Sequence, residues 1–158
     1  MELYFLRHAK AASRAVWDRD DSERPLTEQG CEQAARVAGF IARLGLPIDA
    51  IVSSPYKRAY ETADIMAQHL NMRDKLVSDE RVAPGFRLEE LADILQDHPD
   101  AGAAMFVGHE PDLSDIVAQL VGGRVVFKKG GIAYVECADA SLKKATLVWL
   151  VQPSALGV

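Results

Sequence analysis

Cysteine is scarce in this sequence: Cys31 and Cys137 are the only two among 158 residues. That excludes a disulfide framework and the paired spacing of a metal knuckle. Both read as small buried residues in a reduced compartment. Long apolar runs are also lacking. No stretch reaches the roughly 18 residues that a membrane-crossing helix needs, so no membrane association is expected. The opening, Met1-Glu2-Leu3-Tyr4-Phe5-Leu6-Arg7, has no basic start, no long apolar segment and no small-residue cleavage site. It does not read as a secretory signal, and the expected location is cytoplasmic. A positive balance is missing too, since the formal net charge is −5. Nucleic acid is therefore not an expected partner, because a phosphate backbone calls for a basic face. A single phosphate remains possible, since a few placed arginines can hold it on an acidic protein. Repeats, low-complexity tracts and linker-like runs are absent. One domain over residues 1–158 is expected, long enough to bury a core.

Short apolar segments alternate with helical patterns. Leu3 to Leu6, Ala50 to Val52, Ala104 to Val107 and Ala145 to Val151 read as strands buried on both faces, and Ile132 to Cys137 as one more. Thr27 is a plausible N-cap for a helix with Cys31, Ala34, Ala35, Ala38, Ile41 and Ala42 on one stripe, stopped by Gly45. Ser54-Pro55 opens a second helix, with Ala59, Ala63, Met66 and Leu70 inward. Leu88 to Leu95 forms a third, ended near His98-Pro99. Pro111 begins a fourth, ended by Gly122-Gly123. The alternation predicts an α/β fold: a three-layer α/β/α sandwich with a mostly parallel central sheet.

In such sheets ligands bind beyond the carboxyl ends of the strands. Three turns lie there. They carry Arg7-His8-Ala9, Ser53-Ser54-Pro55 followed by Arg58, and Gly108-His109-Glu110-Pro111. Taken singly, each residue has an ordinary reading as a turn residue, a solvated arginine, or a partner of Glu61 or Glu80. Together, two arginines and two histidines converge on one sheet edge. Phosphoryl transfer suits that set. Charge spreads over three oxygens, arginine binds phosphate with two parallel hydrogen bonds, and a neutral imidazole can attack phosphorus. His69 and His98 lie at helix ends and read as structural or exposed. Ser13 and Ser53 read as loop and capping residues. Lys10 and the Lys128-Lys129 pair are equally well entrance cations or solvated lysines. The charge-dense segment from Arg14 to Glu23 reads as an exposed loop.

These residues resemble the histidine phosphatase superfamily. Arg7-His8-Ala9 is similar to its opening motif, in which the phosphoglycerate-mutase-like branch usually has Gly third. Pro25-Leu26-Thr27-Glu28-Gln29-Gly30 with Gln33-Ala34 resembles its second block. Ser53-Ser54-Pro55 with Arg58-Ala59 and Thr62-Ala63 resembles its third, and Gly108-His109 its last. The resemblance implies a phosphoglycerate mutase-like fold. It also implies that His8 is a nucleophile that becomes phosphorylated, with Arg7, Arg58 and His109 completing the phosphate pocket.

The small size looks most like the SixA branch, the protein phosphohistidine phosphatases. Pro84 stands where larger members carry a donor glutamate, and the interval from Thr62 to His109 leaves little room for a cap. An alkoxide is a poor leaving group without a proton, whereas a protonated imidazole leaves readily. The expected substrate is therefore a phosphohistidine on a phosphotransfer protein, with small phosphate esters as the alternative. Glu80, Asp18 and Glu110 remain candidate proton donors. A mutase, or a binding module without chemistry, is a weaker reading. No cofactor and no metal are expected, because arginines beside His8 and His109 repel a metal ion and no i, i+4 histidine pair exists. A monomer or weak oligomer is expected.

Overall fold

The computed structural model describes residues 1–139 and 141–157. It contains six strands and four α-helices. In chain order these are β1 (Glu2–Arg7), α1 (Glu28–Leu44), β2 (Ala50–Ser53), α2 (Lys57–His69), β3 (Leu76–Ser78), α3 (Leu88–Asp97), β4 (Ala103–Gly108), α4 (Asp112–Val121), β5 (Ile132–Cys137) and β6 (Ala145–Val151). The strands form one sheet in the order β3-β2-β4-β1-β5-β6. Neighbours from β3 to β1 pair in parallel, while β5 is antiparallel to both β1 and β6. The sheet is mixed and mostly parallel, as the alternation predicts.

The two-residue period of a strand splits β1 between two cores. Tyr4 and Leu6 pack with Val37, Ala38 and Ile41 of α1 and with Ala59, Ala63 and Met66 of α2. Leu3 and Phe5 pack with Leu91 and Ile94 of α3 and with Leu113, Ile116 and Val117 of α4. Each face of the sheet thus carries a helix pair, and the three layers follow from burying both faces.

Several local expectations need correction. β3 has no counterpart among the expected strands. It is a three-residue edge strand with Val77 and Ser78 exposed, so it shows no apolar period. β6 is not buried on both faces. It forms the opposite edge, and Val148 is 46% exposed. Cys137 is buried, but Cys31 is exposed. The inward stripe of α1 runs through Gly30, Ala34, Val37, Ala38 and Ile41, which leaves Cys31, Ala35 and Ala42 outside it. Ser54-Pro55 precedes α2 rather than opening it. Tyr56 is the N-cap residue, and the Ser54 hydroxyl accepts from the Tyr56 N–H at 3.2 Å.

Sheet register places the three loaded turns side by side. Arg7 pairs with Gly108, and Ser53 pairs with Val107. The ladder continues one step past the strands: His8 N–H donates to Gly108 O at 3.0 Å, and Ser54 N–H donates to Val107 O at 3.0 Å. His8, His109 and Ser54 are neighbours because β1 and β2 flank β4.

Candidate active site

The turn after β1 is fixed from three sides. Ala9 N–H donates to the Thr62 hydroxyl at 3.1 Å, and that hydroxyl donates to Arg58 O at 2.7 Å. Lys10 N–H donates to Gln33 Oε1 at 3.1 Å. Lys10 O accepts from Thr27 N–H at 3.0 Å and from the Thr27 hydroxyl at 3.2 Å. Thr27 also caps α1 by accepting from Gly30 N–H at 3.0 Å. The Pro25–Gly30 block therefore seats the start of α1 against the strand turn that bears His8.

His8 is only 6% exposed. Its Nδ1 lies 2.8 Å from Ala9 O, a group that only accepts, so Nδ1 carries the proton and Nε2 the lone pair. Arg58 Nε donates to that Nε2 at 3.3 Å. Arg58 is 5% exposed, sits over the Tyr56 ring at 5.0 Å, and bonds Asp21 twice: Nη1 to the carbonyl at 2.8 Å and Nη2 to the carboxylate at 3.0 Å. The same carboxylate takes Arg24 Nε at 2.9 Å.

Asp21 is thus the partner of Arg58, in place of Glu61 or Glu80, and sequence reasoning missed it. The segment from Arg14 to Glu23 is not wholly an exposed loop either. Asp21 and Ser22 are half-buried, and residues Asp21–Glu23 form a short 3₁₀ turn against the site.

Arg7 is half-buried. Its Nη1 donates to Phe127 O at 2.7 Å, and its Nε is buried with no partner among the described residues. His109 is 3% exposed and its ring lies 5.3 Å from that of His8. His109 Nε2 lies 2.8 Å from the Ser54 hydroxyl. That hydroxyl also accepts from Tyr56 N–H; with its own proton directed to Nε2, the His109 proton lies on Nδ1. Nδ1 is also buried with no partner among the described residues. Arg7 Nε and His109 Nδ1 are thus two orphaned nitrogens on residues that line the same cleft as His8. Buried donors left unpaired cost free energy, and an oxyanion entering the cleft would supply the missing acceptors.

All four expected site residues line one cleft of about 810 Å³. Exposed Lys10, Arg14 and Lys129 stand on its rim, whereas Lys128 is outside it. Burial, with Arg7, Arg24 and Lys10 nearby, pulls the Lys129 pKa down. Pro84 is part of the wall. Of the three candidate proton donors, only Glu110 lines the cleft. Glu80 faces a separate hollow beside Ser22 and Tyr56, and Asp18 lines neither. Ser13 reaches the wall, while Ser53 is buried away from it and donates to Ser54 O. His69 and His98 lie outside.

Burial, helped by Arg58 and Arg7, brings the His8 pKa down to about 3, against its Ala9 hydrogen bond. Burial, with His8 and Arg58 as neighbours, brings His109 to about 3 as well. Both rings are neutral at pH 7. Above pH 6.5 neither the folded nor the unfolded chain protonates them. Between pH 6.5 and 3 only the unfolded chain takes up these protons, so stability falls as pH drops, by roughly 1 kcal/mol per pH unit for each ring. Glu110, whose pKa burial raises, acts in the opposite sense. Urea unfolding at pH 7 and pH 5 should show this decline, and His109→Asn should make it shallower. Equal slopes in the two proteins would contradict the burial of neutral His109.

Among known families, the description "Histidine phosphatase superfamily (branch 1)" matches residues 3–105. An uncharacterized protein of Picosynechococcus sp. is 34% identical, with 92% of this chain and 91% of that one covered. Phosphohistidine phosphatase SixA of Escherichia coli strain K12 is 26% identical, with 97% and 94% covered. A solved structure of the protein histidine phosphatase SixA complexed with tungstate superposes with a TM-score of 0.88 at 25% identity, over 99% of each chain. A mycobacterial glucosyl-3-phosphoglycerate phosphatase shares the fold at a TM-score of 0.73 and 16% identity, with 93% and 96% covered.

Proposed function

The chain belongs to the histidine phosphatase superfamily, and from that premise we propose that this phosphatase removes phosphate from phosphohistidine on a signalling phosphotransfer protein, with His8 as nucleophile. The observation that carries the chemistry is the His8 tautomer. Nδ1 is held by Ala9 O, so the lone pair sits on Nε2 inside a cleft of cations.

His8 Nε2 forms a bond to phosphorus as the phosphorus–nitrogen bond of the substrate breaks. Arg7, Arg58 and His109 hold the phosphoryl oxygens, and their donors stand fixed before the reaction, so little reorganisation is needed as charge shifts. The departing imidazole needs no proton at the breaking bond when its other nitrogen is protonated. Water then attacks phosphorus on His8 and releases inorganic phosphate, and Nε2 recovers its lone pair. No metal or cofactor enters these steps.

The substrate choice rests on three features. Pro84 has no proton to give at the position where larger relatives carry a glutamate. The rim is exposed and cationic, which suits a phosphate projecting from another protein. The relatives include phosphohistidine phosphatase SixA of Escherichia coli.

The test is phosphate release from a histidine-phosphorylated phosphotransfer protein and from an aryl phosphate, without added metal. A kcat/KM at least about 10²-fold higher on the first supports the reading, an amount equal to about 2.7 kcal/mol of transition-state preference. Preference for the aryl ester would move the substrate to metabolites.

A further inference from the structure

Arg58 is a nearly buried cation, and a cation taken out of water needs an anion beside it whether or not phosphate is present. Asp21 is that anion. Its backbone carbonyl accepts from Arg58 Nη1 at 2.8 Å, and its carboxylate accepts from Nη2 at 3.0 Å. Burial works against the Arg58 charge, and Asp21 is the foremost group that supports it. The grip falls on the far end of the guanidinium. Both terminal nitrogens are bonded to Asp21, and Nε is left to face His8 Nε2 at 3.3 Å. The Tyr56 ring, 5.0 Å from the guanidinium carbon, covers one face of the plane. A fork bonded along two edges and covered on one face has little freedom to turn.

Asp21 is itself fixed. It begins the short 3₁₀ turn Asp21–Glu23, which Asp20 caps by accepting from Ser22 N–H at 2.8 Å. Its carboxylate also takes Arg24 Nε at 2.9 Å. Arg24 Nη1 donates to Ala12 O at 2.8 Å, and Ala12 N–H donates to Pro25 O at 2.9 Å, beside an antiparallel bridge between Ala11 and Leu26. These bonds close the base of the segment from Ala12 to Pro25. Its inner end is held at the cleft while residues 13–16 and 18–20 stay exposed. Burial alone would raise the Asp21 pKa, but the Arg24 bond and the charges of Arg58 and Arg24 outweigh it, so the carboxylate stays an anion.

We propose that Asp21 is a positioning residue for phosphoryl transfer, holding Arg58 by its terminal nitrogens so that Nε is aimed at the place where phosphorus meets His8. The proposal rests on the reading of His8 as nucleophile and Arg58 as phosphate ligand, and it names the group that orients that ligand. In this role Asp21 acts through Arg58 alone. Charge by itself predicts the opposite effect. Asp21 lines the cleft, so removing its anion would strengthen the binding of phosphate by electrostatics. A loss on its removal therefore reports the orientation of Arg58, and the sign of the change separates the two causes.

The test is a double-mutant cycle on Asp21→Ala and Arg58→Ala. Two quantities are read: kcat/KM on phosphoramidate, and the Kd of inorganic phosphate by titration calorimetry. Asp21→Ala should weaken both by about 10-fold, the low end of what a hydrogen bond to a charged group contributes. Asp21→Asn keeps the backbone carbonyl contact and the side-chain shape, and should lose less. In the Arg58→Ala background, Asp21→Ala should cause no further loss in either quantity, because the group it positions is gone. Where Asp21→Ala does not fold, the cycle is read with Asp21→Asn, whose loss should likewise vanish without Arg58. Equal losses in both backgrounds would make Asp21 an anchor for its own loop and overturn the proposal. Tighter phosphate binding by Asp21→Ala with unimpaired turnover would overturn it too, since Asp21 would then be a competitor for the arginine. The Kd needs no turnover. A wild type that binds phosphate but releases none from any substrate would sink the phosphatase reading, while the cycle on Kd would still decide the role of Asp21.

Discussion

His8→Ala should lower phosphate release by roughly 10⁴-fold or more, equal to about 5–6 kcal/mol of barrier. The loss follows from the role of Nε2. No other nucleophile of the described cleft has a lone pair held free of its own proton among arginines. Asp21 is bound up in ion pairs, and His109 Nε2 is occupied by Ser54. In the proposed reading the remaining donors bind phosphate without attacking it. Folding should survive. At pH 7 the ring is neutral, and the deletion removes a group that is costly to protonate, so the variant should decline less than the wild type as pH falls from 6.5. A variant that unfolds at pH 7 would attribute the loss to structure, and circular dichroism with a thermal melt checks this. Retained turnover in a folded His8→Ala protein would remove His8 from the chemistry.

Gly30→Ala should be the most damaging single methyl in the molecule. An exposed helical glycine gains about 1 kcal/mol from alanine. Here the added Cβ would lie 1.9 Å from Lys10 O and 2.9 Å from its carbonyl carbon. Both are backbone atoms, and Lys10 O is pinned by Thr27. Relief requires the start of α1 and the Ala9–Lys10 turn to separate by about 1 Å. Overpacking of this kind costs about 1–3 kcal/mol, enough to reverse the propensity gain. The turn that moves also carries His8, and a misplacement of about 1 Å can cost 10²-fold in rate. The expected result is a lower urea midpoint together with a kcat/KM reduced by about 10²-fold. Full activity with raised stability would mean that the Thr27–Gly30 block can shift without disturbing His8.

The sequence made some parts of this molecule legible and hid others for physical reasons. The helices α1 to α4 show their period because burial selects apolar residues at fixed spacings, and the inner strands show as unbroken apolar runs because both of their faces are covered. β3 shows none, since a three-residue edge strand has little to bury. Cys31 was misplaced because it adjoins Gly30. An apolar residue next to the true stripe looks like part of it when the glycine on that stripe carries no side chain.

The convergence of Arg7, His8, Arg58 and His109 on one cleft was legible because three turns at one sheet edge held an improbable share of arginine and histidine. Asp21 was not, as one carboxylate within a charge-dense run has no signal of its own. The bond between Ser54 and His109 was equally hidden. It joins residues 55 apart, and only the pairing of β2 with β4 brings them together. Glu110 stood apart from Glu80 and Asp18 only once its cleft position was known.

The most direct measurement is capture of the covalent intermediate. The protein is mixed with a phosphotransfer domain carrying radiolabelled phosphohistidine, quenched within milliseconds to seconds in alkaline denaturant, and digested for mass spectrometry. The account predicts label on this chain that is stable in base, lost in acid, located on His8 and absent from His8→Ala. Steady release of phosphate with no label on His8 at any time, or label elsewhere on a still active His8→Ala protein, would contradict it.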